Sequence, residues 1–296
     1  MKHAPALETV FVDVPEAAVE AYEAALGAVC ATVGFFRDEA TETWRIEGVK
    51  TVGEGEADLA AALALAEAVS GIGLRLHRHA TEAGGWLART RENFPEQFVG
   101  RRFAVRGTHI AGPRAPGRIT ILLDAGMAFG SGEHGSTRGC LRALEAIAHR
   151  RPRRILDMGT GSGILALAAA KLLRRAVRAT DIEPWSVRVA RENAALNLVA
   201  RQVRVWRGDG WRDGAVRAGG PYDLVFANIL ARPLCVMAKD LAAHLAAGGH
   251  AILSGLLVSQ VRMVLAAHRP HGLVLVRVLR EERWASLVLQ KRDGQA

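Results

Sequence analysis

Residues 155–163 read Ile155-Leu156-Asp157-Met158-Gly159-Thr160-Gly161-Ser162-Gly163 and pass directly into the apolar stretch Ile164 to Leu173. A short apolar run, an acidic residue, a glycine loop and an apolar helix form the strand-turn-helix unit of a doubly wound sheet. Glycine lacks Cβ, so the chain can turn tightly at the strand's carboxyl end and a ligand can approach the free N–H groups of the following helix. The spacing is G-x-G-x-G. A dinucleotide fingerprint requires G-x-G-x-x-G, so a nicotinamide cofactor would need a departure from its own pattern. Asp157, just ahead of the loop, suits a ligand ammonium group, which it can accept directly or through water.

Downstream of this unit, strand and helix patterns alternate strictly. Expected are strands at Ala176–Thr180, Val203–Trp206, Leu224–Ala227 and His250–Ser254, with helices at Trp185–Asn197 and Pro233–Ala246. A parallel sheet with helices on both faces follows. Leu273–Arg280 and Trp284–Gln290 are two alternating runs joined by a short charged turn, so they must pair antiparallel. One reversed strand at the edge of an otherwise parallel sheet resembles the class I S-adenosylmethionine methyltransferases. The expected fold is therefore α/β, a doubly wound seven-stranded sheet with one antiparallel edge strand.

Other site candidates stand at the ends of these strands. Asp181 closes the second strand 20 residues after Gly161, where a carboxylate is expected to hold ribose hydroxyls. Glu183 is a weaker candidate for the same task. Asp209, in Arg207-Gly208-Asp209-Gly210, closes the third strand and either accepts from an adenine amino group or is an ordinary turn aspartate. Asn228 emerges from the apolar fourth strand into the ligand crevice, where its carbonyl can accept from an amine; capping the next helix is the alternative. Ala128 to Thr137 is a glycine- and hydroxyl-rich lead-in to a helix running from about Ser136 to His149.

Residues 1–80 read differently. Strands Leu7–Val14, Thr32–Phe36, Thr43–Val49 and Leu74–His79 enclose helices from Pro15 to about Gly27 and from Glu56 to Val69. The order β-α-β-β-α-β is the split, ferredoxin-like α+β pattern. His77 and His79 share one strand face, but no third ligand follows at a metal-binding spacing, and a solvated face is the better reading. Residues 81–100, with a helical piece from Trp86 to Asn93 and a break at Pro95, read as a linker, and the catalytic domain as 101–296. Short strands at Phe103–Ile110 and Arg118–Leu123 precede the glycine-rich lead-in.

Composition narrows the classes further. No eighteen-residue apolar run occurs and the amino terminus lacks a secretion-signal core, so a cytoplasmic chain without membrane association is expected. Cys30, Cys140 and Cys235 have no metal-ligand spacing and are expected to be reduced thiols; no metal is expected. Residues 1–80 hold 6 Lys+Arg against 13 Asp+Glu, and the remainder holds 33 against 17. An acidic module suits a basic protein partner, and a basic body suits a nearby nucleic acid or ribonucleoprotein.

Gly126 to His134, the Asp157–Gly163 loop, Asp181 and Asn228-Ile229-Leu230-Ala231-Arg232-Pro233-Leu234 together resemble the bacterial ribosomal protein L11 methyltransferase family across residues 124–296. Ser131 and Ser136 stand where that family more often has threonine, which keeps the hydroxyl. The resemblance implies S-adenosyl-L-methionine as cofactor, contacted by Thr137, Gly159, Asp181 and Asn228; Asp157, Gly161 and Asp209 complete the candidate set read from the residues. It also implies a ferredoxin-like front domain that recognises ribosomal protein L11, free or on the ribosome, and methylation of lysine side chains and an α-amine through to the trimethyl state; proximity to rRNA is the expectation from the basic body. Asn228 is the candidate catalytic residue and the chain is expected to be a monomer. The alternatives are another protein or rRNA methyltransferase of this fold, or a ribosome-assembly binding module with a vestigial cofactor site.

Overall fold

Val10, Val12 and Val14 are fully buried, as alternate residues of a strand with one face on a core must be. They lie on β1 (Leu7–Val14) in a computed structural model that describes residues 6–30, 32–38, 43–81, 95–123 and 134–292. The described residues divide into two units, Met1–Glu92 and Asn93–Ala296.

In the first unit β1 is followed by α1 (Val19–Gly27), β2 (Thr32–Asp38), β3 (Thr43–Thr51), α2 (Glu56–Ser70) and β4 (His77–Thr81). The strands form one antiparallel sheet in the order β2-β3-β1-β4, the ferredoxin-like arrangement expected from the sequence. Tyr22 and Leu26 of α1, Leu59 of α2 and Ile46 of β3 close the core with the β1 valines. Each such fully buried aliphatic side chain stabilises the fold by about 1.5–3 kcal/mol. Lys50 is buried but stays charged, because Glu8 Oε1 at 2.9 Å and Glu56 Oε1 at 2.6 Å accept from its ammonium. His77 and His79 lie on the exposed side of β4, where both rings pack against Phe11 at centroid distances of 5.0 and 5.8 Å. The last strand begins three residues later than the alternation from Leu74 suggests.

The second unit opens with β5 (Gln97–Val99), β6 (Phe103–Gly107) and β7 (Ile119–Leu123), a three-stranded sheet. β5 falls within the stretch read as linker; the helical reading of Trp86–Asn93 lies outside the described residues. Then come α3 (Gly135–Ile147), β8 (Ile155–Met158), α4 (Ile164–Leu173), β9 (Val177–Asp181), α5 (Pro184–Leu196), β10 (Val203–Arg207) and α6 (Gly214–Ala218). β11 (Tyr222–Asn228), α7 (Ala231–Val236), α8 (Ala238–His244), β12 (Leu245–Leu257), α9 (Val261–His268), β13 (Leu273–Glu281) and β14 (Trp284–Lys291) complete the chain.

Seven strands form the main sheet in the order β10-β9-β8-β11-β12-β14-β13. β14 runs antiparallel to both neighbours and the pairs from β10 to β12 are parallel, the class I methyltransferase arrangement. The reversed strand sits one place in from the edge. α4 is buried from Ile164 through Ala170, which is why that stretch is apolar on every side. Asn197 ties the three-stranded sheet to α5, donating from Nδ2 to the Leu122 carbonyl at 2.6 Å and accepting from the Leu122 N–H at 2.9 Å. The single helix expected over Pro233–Ala246 is two short ones, interrupted at Met237, and the second stops at His244 because Leu245 already pairs with Tyr222 as sheet. No helix among the described residues is long and apolar enough to cross a membrane.

Candidate active site

Strand order reverses at β8, whose chain continues to β9 on one side while β11 lies on the other. A crevice at the carboxyl ends of the strands forms at such a switch point. Asp157, Asp181 and Asn228 occupy the carboxyl-terminal parts of β8, β9 and β11.

The glycine loop between β8 and α4 is left-handed at three alternate residues, with φ of +68° at Gly159, +54° at Gly161 and +86° at Gly163. Side chains at these positions would be strained. At Gly159 a Cβ would also stand 2.5 Å from Ile229 Cγ2, so the turn is tight against the segment that follows β11. The N–H groups of Gly159 and Thr160 both donate to the Thr180 carbonyl, at 2.9 and 3.0 Å, which fixes the loop to the end of β9. The Gly161 N–H donates to Asp181 Oδ2 at 2.9 Å. Asp181 Oδ1 accepts from the Glu183 N–H at 3.0 Å. A carboxylate oxygen has two lone-pair sites, so each retains capacity for a ligand hydroxyl.

Asp157 is buried, and its Oδ2 accepts from Thr160 Oγ1 at 2.6 Å and from the Ala166 N–H at 3.1 Å. Its Oδ1 is buried with no hydrogen-bond partner among the described residues. Burial, with a smaller contribution from the charge of Asp181, pushes its carboxyl up to about 7 against the lowering effect of those two hydrogen bonds. Asn228 Nδ2 donates to Thr137 Oγ1 at 3.3 Å, and Asn228 Oδ1 is likewise buried without a partner. Leaving a buried acceptor unsatisfied costs about 1–3 kcal/mol. Two of them on the adjacent strands β8 and β11 fit a ligand that brings N–H donors. An S-adenosylmethionine ammonium at Asp157, with sugar hydroxyls at Asp181, matches this donor and acceptor pattern.

Thr137 is fully buried in the first turn of α3, and its N–H is held by the His134 carbonyl at 2.9 Å. His134 packs its ring 4.1 Å from that of Trp284 and bonds Ser136 Oγ through Nδ1 at 2.7 Å. Burial pushes its imidazole down to about 4, so it is neutral at physiological pH. The preceding Ala128 to Glu133 lies outside the described residues.

Asp209 stands apart from the hydrogen-bonded cluster. It is exposed just beyond β10 and pairs with Arg212 at 3.0 Å. Sequence reasoning missed the residues that hold the candidates in place. Thr160 lies inside the glycine loop, and its hydroxyl three residues after Asp157 is the signal the sequence carries. Gly255 (φ +80°) gave none: a Cβ there would stand 2.4 Å from the Ile229 carbonyl oxygen, a contact that only the fold creates.

The family model for ribosomal protein L11 methyltransferase (PrmA) matches residues 10–292. A curated protein of Bradyrhizobium diazoefficiens named "Ribosomal protein L11 methyltransferase" is 49% identical over 211 residues, covering 71% of each chain. One of the same name from Rhizobium meliloti is 41% identical over 255 residues, 86% of this chain and 87% of that one. The crystal structure of a ribosomal protein L11 methylase from Lactobacillus delbrueckii subsp. bulgaricus is similar with a TM-score of 0.61 at 31% identity, covering 67% of this chain and 98% of that chain.

Proposed function

Since the chain belongs to the ribosomal protein L11 methyltransferase family, we propose that it transfers methyl groups from S-adenosylmethionine to amino groups of ribosomal protein L11, at lysine side chains and the α-amine, through to the trimethyl state. The observation that carries the site is the joining of the Gly161 N–H to Asp181, with the open acceptor of Asp157 beside them.

When bound, the sulfonium supplies an activated methyl group. The protein's part is to hold donor and amine in line and keep water out. Asp157 Oδ1 would hold the ammonium of the methionine end and Asp181 the ribose hydroxyls, while the bond of Asp181 to Gly161 fixes the loop. The Asp209 carboxylate, whose Oδ1 lies outside the Arg212 contact, would accept from the adenine amino group.

An acceptor lysine, with an ordinary pKa of about 10.4, must lose its proton before its lone pair can attack, and each unit of lowering costs about 1.36 kcal/mol. A desolvated crevice lowers that pKa. Thr137 holds the Asn228 amide through Nδ2, which leaves Oδ1 to accept an N–H of the neutral amine and aim its lone pair in the first two transfers; the dimethylated amine of the third carries no N–H and is placed by contact alone. No dedicated base is required in this scheme. We assign substrate recognition to the acidic front domain, residues 1–80, which suits a basic ribosomal protein.

Mass spectrometry of purified ribosomal protein L11 after incubation with the chain and cofactor tests this. Trimethyllysine and a methylated amino terminus are expected. Methyl groups confined to side chains other than lysine would overturn the amine assignment.

A further inference from the structure

A cluster of exposed arginines lies where the parallel strands of the second unit begin, the edge opposite the crevice. Ile155, Val177 and Val203 open β8, β9 and β10 in register across the sheet. The chain arrives at these three strands through Arg153-Arg154, Arg174-Arg175 and Arg201, all exposed. Strands lie about 4.8 Å apart, so the three entries lie within about 10 Å of one another along the sheet edge. Arg150 and Arg151, also exposed, extend the cluster, and at the other end β14 delivers the exposed Arg292.

A carboxylate does enter this edge, but it is engaged by backbone. Asp223 Oδ2 accepts from the N–H groups of Arg153 and Arg154, at 2.8 and 2.9 Å, which leaves both guanidinium groups outside that contact. Beside it lies a recess of 340 Å³ lined by Arg150, Arg151, Arg153, Gly249, His250 and Gln290, among others. His250 is held below the ordinary imidazole range, first by burial and then by the charges of Arg150 and His149. The carboxylates Asp157, Asp181 and Asp209 belong to the opposite edge.

Helices α3, α4 and α5 end at this edge, and a cation at each negative helix end is ordinary. Four arginines within residues 150–154, and two more after α4, exceed the one cation that each of these helix ends calls for. The planar fork of arginine matches phosphate bidentately and is weakly hydrated, which favours a phosphodiester backbone as the partner.

We propose that this arginine-lined edge is a binding face for the RNA phosphodiester backbone, positioned away from the methyl-transfer crevice. The choice of RNA over DNA rests on the ribosomal-protein substrate reading. The contacts are to phosphate and carry no sequence preference of their own.

Fluorescence anisotropy of a labelled RNA stem-loop tests the proposal, without cofactor or protein substrate, so that its failure and a failure of methyl transfer are read separately. Arg150→Gln/Arg153→Gln/Arg175→Gln is expected to weaken binding at least tenfold and to reduce the slope of log K against log salt by about 2, at about 0.7–0.9 per phosphate contact. Arg262→Gln/Arg277→Gln/Arg280→Gln, which removes three exposed arginines elsewhere, is expected to stay within about twofold of wild type. Equal weakening by the two variants would overturn the proposal, as would unchanged RNA binding accompanied by lost binding to phosphatidylglycerol vesicles. Ultraviolet crosslinking of the wild-type chain to the same RNA removes dependence on variant folding: crosslinked peptides containing residues 149–154 or 174–178 are expected, and crosslinks confined to other segments would contradict it.

Discussion

Asp181 Oδ2 accepts the Gly161 N–H at 2.9 Å, so the residue proposed to grip the sugar also holds the loop proposed to grip the methionine end. Two readings that stand 20 residues apart in the sequence are one hydrogen-bonded unit. Asp181→Asn replaces one oxygen by an amide that faces an N–H, either of Gly161 or of Glu183. We expect S-adenosylhomocysteine to bind at least tenfold more weakly, about 1.4 kcal/mol, by calorimetry. Unaltered affinity would separate Asp181 from the cofactor.

Asp157, proposed to hold the cofactor's ammonium, is expected to make cofactor binding pH-dependent. Its carboxyl lies at about 7, and the ionised form is the one that accepts from an ammonium. Affinity for S-adenosylhomocysteine should therefore rise as pH is raised through about 7, with proton release on binding at pH 6 and little at pH 8.5. Calorimetry in buffers of different ionisation enthalpy measures the protons directly. For the free protein the sign is opposite. A folded value above the ordinary carboxylate value of about 3.9 means the native state holds the extra proton between the two. This group's contribution to stability is thus full below about pH 4 and falls as pH rises through about 7. Asp157→Asn should gain in melting temperature relative to wild type as pH is raised from 4 to 8, while losing cofactor affinity.

Gly159→Ala introduces a Cβ at φ +68° and 2.5 Å from Ile229 Cγ2. Backbone strain alone costs about 1–3 kcal/mol. The expected result is a lower melting temperature and weakened cofactor binding. Adding Ile229→Ala removes the clashing methyl and should restore part of both; absence of any recovery would locate the damage in the backbone alone.

Asn228→Ala leaves Thr137 in place and removes the acceptor proposed to aim the amine. Since a misplacement of about 1 Å costs roughly a hundredfold in rate, kcat should fall by about that factor with the cofactor dissociation constant changed much less. Full turnover would remove Asn228 from the mechanism.

Much of this was legible because it is local. The alternation at Val10, Val12 and Val14 marks a half-buried strand, and Ile164 to Ala170, apolar on all sides, marks a helix covered all round. The Asp157–Gly163 loop carries its own conformational requirement in its glycines. What escaped depends on partners distant in the chain. The Ala-rich Leu241 to Ala246 has helical composition, yet the pairing of Leu245 with Tyr222 turns the chain into sheet. The contact between Gly255 and Ile229 exists only once β11 and β12 lie side by side. The arginines of the sheet edge come from separate segments and converge only through the parallel register of β8, β9 and β10.

The most direct test is to incubate the purified chain with methyl-tritiated S-adenosylmethionine and a ribosomal extract, then separate protein from RNA. Label in ribosomal protein L11 and none in RNA is the expected result, with the Asp181→Asn variant showing a marked loss at subsaturating cofactor. Label in the RNA fraction, or no transfer from wild-type enzyme at saturating cofactor, would contradict the account.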